Sequence, residues 1–126
     1  MLVSLRAKPR PGLVRQMVRW WYRERAARVF VRRFREVVRR ASWLGRQDPV
    51  LRIREMTTRW GSRGPAGAIT LNVDLVKAPV TCIDYVIAHE LCHGIEMRHS
   101  KRFYDLLRRA VPEWERAKDR LNLLVR

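Results

Sequence analysis

"HELCHGIEMRH", residues 89–99, contains all three histidines of the 126-residue chain. His89 and His93 are four residues apart, so on a helix they lie about 40° apart around the axis and one turn apart along it. Both imidazoles can therefore reach one ion. Glu90 sits on the edge of the same helix face, where its carboxylate can contact a water at that ion without being a ligand. The pattern predicts a zinc site (Zn2+) on a helix.

The third histidine, His99, requires a reversal of the chain. On a continued helix it would lie some 15 Å along the axis from the first histidine, out of reach of a shared ion. Gly94 is the residue type that commonly ends helices in a left-handed conformation, so we expect residues 95–98 to turn back. His99 then completes a three-histidine site with an open fourth position. Glu113 is the alternative third ligand, in a site of two histidines and one glutamate.

These residues together predict hydrolysis of peptide bonds. H-E-x-x-H on a helix is the motif of zinc metallopeptidases, in which the two histidines bind the metal and the glutamate is the general base. Glu90 would take a proton from the attacking water and return it to the leaving amine. The substrate is then a peptide or protein. Arg59, Arg63 and Tyr104 are candidates for stabilising the oxyanion, and none of them is assigned.

Length and composition are those of a single domain over residues 1–126, with residues 1–12 as an irregular lead-in that ends in "KPRPG". No apolar run reaches the roughly 18 residues of a membrane span, and the N-terminus lacks a signal peptide's apolar core. We therefore expect a cytoplasmic protein with no membrane span. Cys82 and Cys92 would lie about 15 Å apart along one helix, too far for a disulfide, which predicts free thiols.

A long stretch without glycine or proline predicts one amphipathic helix from Leu13 to about Trp43. Its apolar residues recur at roughly helical spacing. Aromatic residues at such spacing usually pack in a core, so we expect Trp20, Trp21 and Tyr22 to be core residues.

The middle of the chain alternates apolar and polar residues. This pattern predicts strands at about residues 51–56 and 69–73, separated by a glycine-rich loop at residues 60–67, and the two strands are expected to form a small antiparallel sheet. Proline and serine positions that favour helix starts predict the remaining helices: Pro79 to Gly94, Lys101 to Val111 after Ser100, and Glu113 to about Leu124 after Pro112. The predicted fold class is α+β.

The chain is strongly basic. Its net charge is +16, and residues 1–40 carry twelve arginines and one lysine against two glutamates. Five arginines recur at three- and four-residue steps, which places them on one helix face: Arg25, Arg28, Arg32, Arg35 and Arg39. Such a face could bind nucleic acid or an anionic membrane, or it could simply be solvated. No sequence feature predicts an oligomeric state.

Five separated motifs agree in order and spacing with one known family. They are "MTTRWGS" at 56–62, "AITLN" at 68–72, "KAP" at 77–79, "IDYVIAHELCH" at 83–93 and "HSKRF" at 99–103. From about Val14 onward the chain resembles the YgjP-like metallopeptidase domains, a bacterial zincin family related to SprT-like proteases. The resemblance implies a minimal zincin-like α+β fold with a long N-terminal helix, an HExxH active-site helix and C-terminal helices. It also implies that His89, His93 and His99 are zinc ligands and that Glu90 is the general base.

Three features depart from the family pattern. Arg63 stands where the family usually has cysteine, and Arg98 where it usually has asparagine. We also expect the chain to lack the β-rich N-terminal extension that relatives commonly carry. The alternative functions are a nucleic-acid-associated zinc protease of the SprT-like kind and a catalytically silent zinc-binding domain, each docked through the basic N-terminal helix.

Overall fold

The computed structural model describes residues 11–45 and 47–124. Within these ranges the chain forms four α-helices, three strands and two short 3-10 helices: α1 (Pro11–Arg40), 3-10 (Ser42–Leu44), β1 (Val50–Arg54), β2 (Gly61–Arg63), β3 (Ala68–Asn72), 3-10 (Val73–Lys77), α2 (Val80–His93), α3 (Lys101–Ala110) and α4 (Trp114–Asn122). The predicted α+β class is confirmed. No helix in the described ranges is long and apolar enough to cross a membrane.

The long first helix is confirmed, with different ends. It begins at Pro11, so the predicted irregular lead-in over residues 1–12 is wrong for its last two residues, and residues 1–10 lie outside the described ranges. Proline is favoured in the first helical turn because its missing N–H has no partner there in any helix. The α-helix stops at Arg40, and residues 42–44 tighten into a 3-10 turn. Gly45, with φ at 97°, then ends the helical stretch.

The second half of α1 packs into the core, and most of the first half does not. Its inward residues are almost fully buried: Ala26, Phe30, Phe34 and Val37. The expectation that the aromatic cluster is core is wrong for Trp20 and Trp21, which are 49% and 46% exposed. Tyr22 is partly buried and packs against the core. Residues 12–25 are exposed apart from Met17 and Tyr22, so this half of the helix extends beyond the packed body.

The sheet differs from the predicted antiparallel pair. It has three strands in the order β1-β3-β2, with β1 parallel to β3 and β2 antiparallel to β3. The predicted loop at 60–67 therefore contains a strand. Glycine in a strand often marks close backbone approach, and a Cβ at Gly61 would lie 2.7 Å from Cγ1 of Val86 on α2. The missing side chain lets β2 lie directly against α2.

Helix α2 is the centre of the fold. It contacts α1, the sheet, α3 and α4, and most of its residues are buried. Its buried Asp84 accepts hydrogen bonds from Arg33 at 2.9 and 2.7 Å and from Arg40 at 3.0 Å, which joins it to α1. Cys82 and Cys92 are buried free thiols, as predicted. Burial raises the pKa of Cys92 to about 12, so the thiol stays protonated.

Candidate metal centre

The last turn of α2 presents two imidazoles side by side. The ring centroids of His89 and His93 are 4.7 Å apart, as expected for positions four residues apart on a helix. After α2 the chain turns over residues 94–98, and α3 begins at Lys101. Ser100 caps α3, since its side-chain oxygen accepts a hydrogen bond from the N–H of Phe103 at 3.3 Å. The predicted reversal and the serine cap are both present.

The reversal places His99 beside the other two rings. Its Nε2 lies 3.1 Å from Nε2 of His93, and its ring centroid is 5.4 Å from that of His89. One ring nitrogen from each of the three histidines lies within 4.8 Å of the others. The structure therefore brings together the three side chains that the sequence singled out.

Gly94 ends α2 by a different route from the one predicted. Its φ and ψ are −69° and −20°, which is right-handed helical, so the expected left-handed conformation is wrong. The helix ends instead in a tighter, 3-10-type turn, in which the Gly94 N–H donates a hydrogen bond to the Leu91 carbonyl, three residues earlier, at 3.0 Å. A Cβ here would meet the side-chain oxygen of Gln47 and would lie 2.9 Å from a guanidinium nitrogen of Arg63. Glycine is required for space and not for conformation.

Two of the three imidazoles, those of His89 and His93, make a contact at Nδ1 that orients the ring. Nδ1 of His93 lies 3.3 Å from the backbone carbonyl oxygen of Glu96, and Nδ1 of His89 lies 3.3 Å from Oε1 of Glu90. With Nδ1 engaged, Nε2 of His93 faces the cluster. Burial, together with the neighbouring His89, lowers the pKa of His93. This favours the neutral imidazole, which is the form that binds a metal.

The donor set fits zinc. Imidazole nitrogens bind zinc at about 2.0–2.1 Å, which places two ligands of a tetrahedral site roughly 3.3 Å apart. The 3.1 Å between the Nε2 atoms of His93 and His99 agrees with this spacing. Glu113, the alternative ligand, is an exposed residue just before α4, and it is not in the possible metal-binding group found among the described residues.

Glu90 lies at the edge of the histidine cluster and beside a cavity. The residue is 7% exposed, and its Oε1 lies 3.3 Å from Nδ1 of His89. The cavity has a volume of about 240 Å³, and its walls include His89, Glu90 and Tyr85 from α2, Gly61 from β2 and Lys118 from α4. Glu90 is therefore next to open space as well as to the histidine cluster.

Aromatic residues that sequence reasoning missed enclose the histidines. The ring of Phe103 contacts all three imidazoles, with centroid distances of 5.1, 4.5 and 5.1 Å. Tyr85 meets the edge of His89 at 5.9 Å and stacks on Trp114 at 6.5 Å. The sequence feature that could have identified them is their spacing, since Tyr85 precedes His89 by four residues and Phe103 follows His99 by four.

Burial raises the pKa of Tyr85 to about 12, and Tyr104 and Glu90 add smaller contributions in the same direction. The phenol therefore keeps its proton at neutral pH and remains a hydrogen-bond donor beside Glu90.

Two polar side chains hold the C-terminal end of α2. Arg63 donates hydrogen bonds to the Glu90 carbonyl at 3.2 Å and to Gln47 at 3.3 Å, and Gln47 donates to the Leu91 carbonyl at 3.3 Å. A cation at this end also complements the helix dipole. Because its guanidinium is engaged with the backbone of α2, Arg63 is a poor candidate for the oxyanion-stabilising group. Gln47 carries no motif that could have identified it in the sequence.

An α+β domain whose central helix carries H-E-x-x-H, with a third histidine folded back beside it, has the fold of a zincin-like metallopeptidase. The family model "YgjP-like, metallopeptidase domain" matches residues 3–123, and the chain belongs to this family. The resemblance drawn from the five sequence motifs is thereby confirmed.

Among solved structures, the chain is similar to the metallopeptidase zymogen abylysin of Pyrococcus abyssi, with a TM-score of 0.61 and 21% sequence identity. The match covers 70% of this chain and 90% of that one. At this identity the likeness concerns the fold. No curated protein matches the sequence significantly.

Proposed function

We propose that the protein is a zinc-dependent peptidase that hydrolyses peptide bonds with Glu90 as its general base. The observation that carries this proposal is the close approach of three imidazoles beside a nearly buried glutamate, on a helix with H-E-x-x-H spacing. Membership of a metallopeptidase domain family supports the same reaction.

His89, His93 and His99 are the proposed zinc ligands. Three neutral imidazoles leave the ion's charge uncompensated and leave a fourth position open, as in catalytic zinc sites. Zinc bound there would act as a Lewis acid that lowers the pKa of water toward about 7 and polarises a carbonyl. The contact of His93 Nδ1 with the Glu96 carbonyl holds that ring in the orientation needed.

Glu90 carries the proton in the proposed reaction. Its carboxylate accepts a proton from the attacking water as the new C–O bond forms at the peptide carbonyl carbon. When the C–N bond breaks, the same carboxyl returns the proton to the leaving amine, so the glutamate ends as it began. Its contact with His89 and its place in the cavity wall support this double role.

Tyr85 is the proposed hydrogen-bond donor to the substrate carbonyl oxygen. It lines the same cavity as Glu90 and keeps its phenolic proton over the neutral range. A fixed donor aimed at the developing oxyanion is usually worth about 10²-fold or more in rate. Of the groups considered from sequence, Arg63 is engaged with α2, whereas Arg59 lines the cavity and is the second choice.

The proposal is tested by replacing the base while keeping the metal. The zinc-loaded chain and its Glu90→Gln variant are compared on an unfolded, fluorescently labelled protein, with zinc content measured for both. We expect the variant to retain zinc and to lose about 10²-fold or more of kcat. Glu115→Gln, at an exposed glutamate on α4, is the matched control and should keep full activity. Equal turnover by Glu90→Gln and the parent would remove the peptidase assignment.

A further inference from the structure

The two halves of α1 carry apolar residues on opposite sides. Successive residues of a helix are about 100° apart, so Trp21 and Phe30, nine residues apart, lie about 180° apart around the axis. Phe30 is fully buried in the core, whereas Trp21 is 46% exposed. The first half of the helix therefore turns its apolar face away from the body of the protein.

This outward apolar face is formed by residues from about two and a half turns of helix. Its exposed members are 42–49% accessible: Leu13, Val14, Val18, Trp20 and Trp21. The opposite side of the same turns is cationic, with Arg15, Arg19 and Arg23 about 40° apart in succession. Large exposed apolar patches rimmed by polar groups are uncommon on monomeric proteins and mark interaction surfaces.

The same outward side becomes cationic in the second half of α1. Five arginines all lie within about 40° of the direction of Trp21: Arg25, Arg28, Arg32, Arg35 and Arg39. All five are exposed, and Glu36, beside Arg39, offsets part of their charge through a contact of 2.7 Å. One side of the helix, about 39 Å from Leu13 to Arg39, thus presents an apolar segment followed by a basic segment.

The apolar and basic segments together decide which kind of partner fits the outward side of α1. A second copy of the chain packed in parallel would place the two basic segments against each other, where their charges repel. One packed antiparallel would place each basic segment against an apolar segment, which offers the arginines no counter-charge. A nucleic acid would satisfy the arginines and leave Leu13, Val14 and Val18 without a partner. The interface of a bilayer with anionic lipids satisfies both segments, because acyl chains accept the apolar side chains and lipid phosphates the arginines.

We propose that the outward side of α1 binds peripherally to membranes containing anionic phospholipid. The helix lies in the plane of the interface, with Trp20, Trp21 and the neighbouring aliphatic side chains inserted at headgroup level. The five arginines of the basic segment contact phosphates along the same line. The core-facing side of α1, including Phe30 and the Arg33 pair with Asp84, stays attached to the rest of the domain.

Vesicle sedimentation tests this proposal with the zinc-loaded full chain. Vesicles of phosphatidylcholine alone are compared with vesicles of phosphatidylcholine and phosphatidylglycerol, three to one. We expect at least roughly tenfold tighter binding to the anionic vesicles, weakened by added salt. The double variants Trp20→Ser/Trp21→Ser and Arg28→Gln/Arg32→Gln should each weaken that binding by about tenfold or more.

Matched controls replace exposed apolar residues and exposed arginines elsewhere on the protein. Met97→Ser/Leu123→Ser removes apolar side chains that are 81% and 82% exposed, and Arg52→Gln/Arg54→Gln removes two charges from β1. Both should bind vesicles like the parent. Absence of binding, equal binding to neutral vesicles, or equal losses in the controls would overturn the proposal. So would tighter binding to a single-stranded RNA through the same residues, or a dimer that Trp20→Ser/Trp21→Ser dissociates.

Discussion

Arg33 donates two hydrogen bonds to Asp84, from Nε at 2.9 Å and from Nη2 at 2.7 Å, across 51 positions of sequence. Two parallel bonds of this kind fix the relative orientation of both side chains. Asp84 lies on α2, five residues before His89, so the pair fixes the helix that carries the proposed zinc ligands against the long first helix. Arg40 adds a third bond at 3.0 Å, which leaves the nearly buried carboxylate well compensated.

Asp84→Asn should lower the free energy of unfolding by about 2 kcal/mol, because two arginines lose their counter-charge at a largely buried position. This expected loss is smaller than the loss for breaking a fully buried ion pair, because the Arg40 side chain is partly exposed to solvent. Urea denaturation provides the measurement. Glu36→Gln is the control, because it removes an exposed ion pair with Arg39 on α1. It should not measurably change the free energy of unfolding. Equal effects of the two variants would show that the Asp84 pair does not anchor α2.

Arg63→Met should destabilise the fold by about 1–2 kcal/mol, since it removes charged donors from the Glu90 carbonyl and from Gln47. The same change should weaken zinc binding, because the affected end of α2 carries His93. Competition with a chromophoric chelator and thermal melting measure the two effects. Arg52→Met on β1 removes an exposed arginine and serves as control. Unchanged zinc affinity together with lost turnover would return Arg63 to the candidates for substrate contact.

Gly94→Ala should destabilise the fold by about 1–3 kcal/mol through overpacking against Gln47 and Arg63. If crowding is the cause, adding Gln47→Ala should recover part of the loss in a double-mutant cycle. Gly64→Ala is the control, because a Cβ there would come no nearer than 3.6 Å to its neighbours. If Gly94→Asn were better tolerated than Gly94→Ala and Gln47→Ala gave no rescue, a left-handed glycine would be indicated instead.

Tyr85→Phe should lower kcat by about 10²-fold and leave zinc content and the unfolding midpoint nearly unchanged, because it removes only the phenolic donor from the cavity. Tyr22→Phe, at a half-buried tyrosine on α1, is the matched control and should turn over like the parent. A Tyr85→Phe variant with full activity would shift the assignment to Arg59.

What the sequence predicted correctly rests on local physical rules. The spacing of His89, Glu90 and His93 needs only a helix to bring them together, and Ser100 caps α3 through a contact three residues away. The return of His99 to the cluster was predicted from the reach of a helix and from Gly94 as its end. Gly94 does end the helix, but in a right-handed conformation.

The features that were missed depend on which elements meet in three dimensions. Helical periodicity places Trp21 on one face of α1, but it does not say that the body of the protein packs on the opposite face. Strand β2 consists of Gly61, Ser62 and Arg63, which have little strand propensity, and it forms through pairing with β3. The Arg33–Asp84 pair joins residues too distant for any pattern to connect.

The most direct test of the account is a crystal structure of the zinc-loaded chain, with anomalous diffraction recorded at the zinc edge. We expect one zinc per chain, about 2.0–2.1 Å from one ring nitrogen each of His89, His93 and His99. An anomalous peak coordinated by the first two histidines and a carboxylate, with His99 turned away, would contradict the proposed site. Absence of any peak between the three rings would contradict it as well.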